Sequence, residues 1–236
     1  MKIKTMICAG MLLLTSGYLF AQDDDWNHIS NEDIISRDSF SRKGYTLIFI
    51  NKSSAFDTAV KQRMVNTFFK VYPKQAELYN VNTSKQVIFV IDPKYTGVAA
   101  ASGDIVRFNP LWFEKNPGDI DVVTHEVMHI IQSYPGDAGP GWVTEGIADY
   151  VRYTMGVDNA GAGWTLPPFS TTQSYNDAYR ITARFFVWAE QHYNKKLVKK
   201  LDTAMRGKTY NSNLWRTLTG KTVDELWKEY SLNPAI

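Results

Sequence analysis

Thr124-His125-Glu126-Val127-Met128-His129 carries two histidines four positions apart, with a glutamate beside the first. On a helix of 3.6 residues per turn that spacing puts both imidazoles on one face. Two neutral imidazole nitrogens so presented can grip one divalent ion, and zinc accepts them at about 2.0–2.1 Å. Glu126 is adjacent to the first histidine and can reach a water held by the ion without being a ligand itself. The flanking Val122, Val123, Val127, Met128, Ile130 and Ile131 are apolar, as on a buried helix. Two imidazoles and a carboxylate are costly in such a setting unless they are paired or coordinate a metal. The chain has four histidines, and two of them fall here.

A catalytic zinc ion usually has three protein ligands and one open position. The next helical stretch, Trp142-Val143-Thr144-Glu145-Gly146-Ile147-Ala148-Asp149-Tyr150, offers Glu145 as the third ligand. Pro135, Gly136, Gly139, Pro140 and Gly141 make a tight linker that can return this helix antiparallel to the first. The alternative for Glu145 is a solvated carboxylate favoured by the start of a helix; beside H-E-x-x-H the ligand role is preferred. Asp149 lies four residues on, on the same face. It is placed to accept the spare N–H of a ligand histidine and so fix its tautomer. Gln132, one turn beyond His129, suits a hydrogen bond behind the site better than ligation. One Zn2+ ion is the expected cofactor.

These residues need a framework, and the chain supplies an α+β one. Tyr45–Ile50 and Val87–Ile91 read as strands, and the intervening Phe56–Leu78 has apolar residues at helical spacing. Strand, helix, strand predicts a crossover and a parallel pair. Residues 96–108 suggest one or two short strands; the small-residue stretch Gly97–Gly103 could be an edge for an extended peptide or an ordinary hairpin. Helices are predicted at about 119–133, 142–155, 174–193, 195–206 and 222–230. The expected fold is a small N-terminal mixed sheet with a crossover helix, followed by a helical half.

The whole chain bounds the function. Lys2 and Lys4 precede an apolar run from Met6 to Phe20, which reads as a secretory signal peptide over residues 1–21. Residues 22–42 read as a polar leader, mobile or lying along the surface, and residues 43–236 as one domain. Cleavage after Ala21 removes two lysines and the one cysteine, leaving 24 basic against 24 acidic residues. That balance gives no electrostatic surface for nucleic acid, and without cysteine there is no thiolate chemistry. No membrane span is expected in the mature chain. Export places the protein in the periplasm or outside the cell.

H-E-x-x-H followed by E-G-x-A-D resembles the gluzincin metallopeptidases. Thermolysin-like enzymes carry E-A-x-S-D and aminopeptidase-N-like enzymes N-E-G-F-A after their H-E-x-x-H. The resemblance implies Glu145 as third ligand and Asp149 as support for a ligand histidine. Fifteen residues separate His129 from Glu145, fewer than in either family. A more specific resemblance is to the basic secretory protein family of plant and bacterial peptidases. It rests on H-E-V-M-H-I-I-Q over His125–Gln132, E-G-I-A-D-Y-V-R over Glu145–Arg152, and Y-x-x-T-A-R-F from Tyr179 to Phe185. It implies a minimal thermolysin-like zincin module.

Peptide hydrolysis also needs a donor for the oxyanion. Tyr179, in the third motif, is the candidate, although a tyrosine there can also be a core residue. His192 is a rival, but its place near a polar helix end makes a surface histidine the preferred reading. Arg184 can bind substrate or, preferably, brace Asp149 or Glu145. His28 suggests nothing, and Trp142 and Tyr150 read as packing. The expected function is a secreted zinc-dependent peptidase acting on peptides or proteins, with Glu126 activating the water. Alternatives are an exported zinc-containing binding protein without proteolytic activity, and a hydrolase of non-peptide amides.

Overall fold

The structure, a computed structural model, describes residues 26–236. The signal-peptide reading of residues 1–21 lies outside them. The fold is α+β, as expected.

Strands β1 (Ser36–Arg42), β2 (Tyr45–Asn51), β3 (Gln86–Ile91), β4 (Ala99–Ser102) and β5 (Ile105–Phe108) form one mixed sheet in the order β1-β2-β3-β5-β4. β2 and β3 are parallel, and α1 (Thr58–Tyr79) crosses between them. Leu47 and Phe49 of β2 and Val87 and Phe89 of β3 are buried in the same core as Val60, Met64, Phe68 and Tyr72 of α1. β3 and β5 are also parallel, and β4 folds back antiparallel to β5 as the exposed edge.

The polar-leader reading of residues 22–42 needs correction. Ser36–Arg42 is strand β1, paired antiparallel with β2 along its whole length. Lys43 and Gly44 turn the chain with φ of 53° and 76°, the left-handed pair that a two-residue hairpin requires. Its half-buried positions are Ser36, Asp38 and Phe40, so the period of two is present but written mostly in polar residues. The preceding segment is held too. Arg107 donates to the carbonyls of Trp26 (2.8 Å) and His28 (3.1 Å), and Ile29 and Ile34 cover the sheet face formed by Ile50, Val90 and Ile105.

The helical half comprises α2 (Pro110–Lys115), α3 (Val122–Gln132), α4 (Gly141–Met155), α5 (Tyr179–His192), α6 (Leu197–Arg206), α7 (Asn213–Thr219) and α8 (Val223–Leu232). The short α2 and α7 were not expected, and α5 starts five residues later than predicted. There Asp177 accepts from the Ser174 N–H, and Ala178 and Tyr179 have φ of 65° and 49°, which breaks the helix. No helix among the described residues is long and apolar enough to cross a membrane.

α4 and α5 approach unusually closely. A Cβ on Gly146 would sit 2.2 Å from Thr182 Cγ2 and 3.0 Å from Phe186. Gly146 and the Thr182-Ala183 pair are therefore two halves of one helix contact. It fixes α4, which carries Glu145, against α5, which carries Tyr179.

Candidate metal centre

α3 lies in the core with Val123, Val127, Met128 and Ile131 fully buried, so its polar face is aimed by packing. Its C-terminal end is held by Arg206, which donates to the carbonyls of Ile131 and Gln132 (2.9 Å each) and Tyr79 (2.8 Å). α4 runs antiparallel to α3. Gln132, at the end of α3, reaches the Thr144 carbonyl near the start of α4 (2.9 Å), while His125 reaches Asp149 further along. The linker of Pro and Gly residues is long enough for this return.

His125 Nδ1 lies 2.7 Å from Asp149 Oδ1, and His129 Nδ1 lies 2.7 Å from Gln132 Oε1. With both Nδ1 atoms engaged as donors, both Nε2 atoms are left as free ligands. They lie 3.2 Å apart and face Glu145 Oε2 at 3.3 Å (His125) and 3.5 Å (His129). Two ring nitrogens and a carboxylate oxygen thus converge within 4.8 Å of one another. Two Nε2–H groups could not face each other at 3.2 Å, so the geometry suits a cation between them. Two nitrogens, one oxygen and an open side fit zinc in the catalytic manner.

The electrostatics agree. Burial pushes the His125 imidazole down, but its hydrogen bonds to Asp149 and Glu145 outweigh this and raise it to about 10. His129 is likewise raised by Glu145 against burial. Burial works on Glu145 too, yet the hydrogen bonds from both histidines hold its carboxyl far below the usual range. The neighbouring carboxylates thus favour positive charge where the two Nε2 atoms meet. Glu126 is buried beside the cluster, and that burial raises its carboxyl against the pull of both imidazoles.

An open cleft of about 650 Å³ lies over the cluster, lined on one side by Val98–Ala101 of the edge strand and on the other by Gln132, Tyr134 and Thr144. Asn109 donates to the Val98 carbonyl. Antiparallel pairing alternates, so Ala100 faces its partner Arg107 while Ala99 and Ala101 turn their backbone groups to the open edge. Tyr95 donates to the Ala99 carbonyl (3.1 Å). Tyr179 stands at the rim, 55% exposed, with its ring nearly parallel to His125 at 6.2 Å. Burial of its hydroxyl and the Glu145 and Glu126 charges push its phenol up to about 12, so it remains a donor.

One sequence assignment changes. Arg184 braces neither Asp149 nor Glu145; it donates to the Pro234 carbonyl at 2.9 Å. Five residues along α5 from Tyr179 turn it by about 140°, away from the cleft. Arg152, three residues past Asp149 on α4, pairs with Asp119, which also accepts from Trp112 Nε1 (2.9 Å). His192 bonds the Trp188 carbonyl at 2.8 Å in the last turn of α5 and takes no part in the cleft. Tyr95 was also missed; no helical or strand period marks it. Trp142 and Tyr150 are packing residues, as expected, with Tyr150 donating to Glu190.

The sequence matches the family described as BSP, "Peptidase of plants and bacteria", over residues 29–230. The chain belongs to that family. No curated protein matches it. Among solved structures, this BSP peptidase resembles an aminopeptidase N family protein from Idiomarina loihiensis, at 10% identity and a TM-score of 0.51. The match covers 82% of this chain and 46% of that one. An M1 zinc metallopeptidase mutant from Deinococcus radiodurans also matches, at 10% identity and a TM-score of 0.49, covering 85% of this chain and 53% of that one. This chain thus spans about half the length of the solved proteins it matches, and the first likeness identifies a shared fold.

Proposed function

We propose that this chain is an exported zinc peptidase that hydrolyses peptide bonds in the cleft between β4 and α3. The convergence of His125 Nε2, His129 Nε2 and Glu145 Oε2 beside a buried, unpaired Glu126 carries the reading. His125, His129 and Glu145 would hold the ion, which when bound supplies a Lewis acid that polarises a carbonyl and makes water more acidic. Asp149 and Gln132 keep the two imidazoles in the tautomer that binds. Export rests on the composition of residues 1–21.

The chain's own groups supply the rest. A substrate strand pairs antiparallel with β4 through Ala99 and Ala101, which sets its scissile carbonyl above α3. Glu126 accepts a proton from the attacking water as the water oxygen bonds to the carbonyl carbon. Its raised pKa brings it nearer to the neutral range where a general base works best. Tyr179 donates its O–H to the developing oxyanion. As the C–N bond breaks, Glu126 returns the proton to the departing amine nitrogen.

Metal analysis combined with cleavage of a peptide library tests this. Zinc should bind at one ion per chain, a chelator should abolish cleavage, and Glu126→Gln should keep the ion and lose about 10²–10⁴-fold in turnover. Full activity of Glu126→Gln would overturn the assignment of the base.

A further inference from the structure

The cleft does not end at the metal centre. A second hollow of about 510 Å³ continues past His125, Glu126 and Tyr179, lined by Val98, Trp112, Trp164 and Arg180 among others. The two halves differ in charge. In the first, the ionisable acids and bases other than tyrosines are His125, Glu126, His129 and Glu145, all of them in the centre itself. In the second, Asp149 is engaged by His125, and Asp119 is engaged by Arg152. Arg152 also donates to Asn159 and lies over the Trp164 ring at 4.5 Å. Arg180 is the charge left over. It is exposed, its one hydrogen bond is a long 3.4 Å contact to the Thr165 carbonyl, and among the described residues no carboxylate pairs with it.

Its position is unfavourable on local grounds. Arg180 occupies the first turn of α5, where the helix dipole disfavours a cation, and that turn has no acidic residue to offset it. The backbone that delivers it is strained at Ala178 and Tyr179. A cation held against its own helix, with its donors free and facing a substrate cleft, is suited to an anion from outside.

We propose that Arg180 receives a carboxylate of the substrate on the C-terminal side of the scissile bond. This rests on the peptidase reading. A peptide antiparallel to β4 enters at Ala101 and leaves at Val98, so its C-terminal part lies in the second hollow. The carboxylate can be an Asp or Glu side chain or the free C-terminus of a short peptide.

The test uses the zinc-loaded full chain and matched peptides. They carry Glu, Gln or Lys at each of the three positions after the cleaved bond, each with a free acid or an amidated C-terminus. Wild type should favour Glu over Gln by about two- to fivefold in kcat/KM, mainly through KM, and the ratio should shrink in high salt. Arg180→Gln should bring the ratio to about one, and Arg180→Glu should shift preference to Lys. A preference for free acid over amide would identify the terminal carboxylate as the source. Binding of the same peptides to zinc-loaded Glu126→Gln, followed by quenching of tryptophan fluorescence, gives a readout independent of turnover. Peptides that bind with this charge preference but are not cleaved by wild type would overturn the peptidase reading and leave the Arg180 site standing. Equal treatment of Glu, Gln and Lys peptides in both assays, or a preference that survives Arg180→Gln, would overturn the Arg180 assignment.

Discussion

The floor and the rim of the cleft are built on opposite plans. On the floor, α3 and α4 are regular, buried helices, and each histidine of the candidate metal centre is backed by a partner: Asp149 behind His125, Gln132 behind His129. On the rim, Tyr179 and Arg180 stand exposed at the uncapped start of α5, on backbone with left-handed φ at non-glycine residues. The floor uses satisfied hydrogen bonds to hold a geometry. The rim keeps donors unsatisfied so that something else can use them. On the proposed function, holding an ion and receiving a substrate thus place contrary demands on the same few ångströms.

That contrast can be broken from either side. Beyond loss of the proposed base at Glu126, the largest effect should come from the rim. Tyr179→Phe should cost about 10²–10³ in kcat, as loss of an oxyanion donor does, while zinc stoichiometry and melting temperature stay as in wild type. Variants of Asp149 and Gln132 on the floor should do the reverse.

The next effect is on the floor. In the metal-free chain His125 is raised from 6.5 to about 10, so its contribution to stability is fully present below about 6.5 and is lost as pH rises through about 10. Zinc must displace the imidazole protons, so its affinity should rise with pH across that window, by up to about tenfold per pH unit for each proton released. Melting curves of metal-free and zinc-loaded protein over this range should diverge as pH rises. A gap that narrows would break the argument.

Removing the supports comes third. Asp149→Ala should weaken zinc by about 10–100-fold. Gln132→Ala should fall at the lower end, since a neutral amide supports its imidazole less than a carboxylate does. Competition with a fluorescent chelator measures both. Fourth, Gly146→Ala must push Thr182 aside and should cost about 1–3 kcal/mol by denaturant unfolding. The smallest effect carries the opposite sign. Ala178→Gly relieves a left-handed alanine and should stabilise by up to about 1 kcal/mol, read as a rise of roughly 2–4 °C in Tm. Stabilisation accompanied by slower turnover would indicate that the strain positions Tyr179.

The same contrast explains what could be read from the sequence. His125, Glu126, His129, Glu145 and Asp149 lie on two helices whose period places them on shared faces, and the tight Pro/Gly linker and the family resemblance brought the two faces together. The crossover α1 and the parallel β2–β3 pair followed from apolar runs. β1 was hidden because its inward positions are Ser36, Asp38 and Phe40, and the segment over the sheet because Trp26, Ile29 and Ile34 follow no period. Arg184 was misplaced because an arginine in a shared motif does not say which way its helix face points. Arg180 and Tyr95 lie beside breaks in regular structure, where no period exists to read.

The close approach at Gly146 has a mechanical meaning. Hydrogen bonds and ion pairs act as springs, and their strength shifts with pH, salt and temperature. A missing side chain filled by a neighbour's methyl acts as a hard stop. Where α4 meets α5 is therefore set by excluded volume, which none of those conditions alters. The spacing between the floor's Glu145 and the rim's Tyr179 is in that sense a machined tolerance, kept constant while the charges around it titrate.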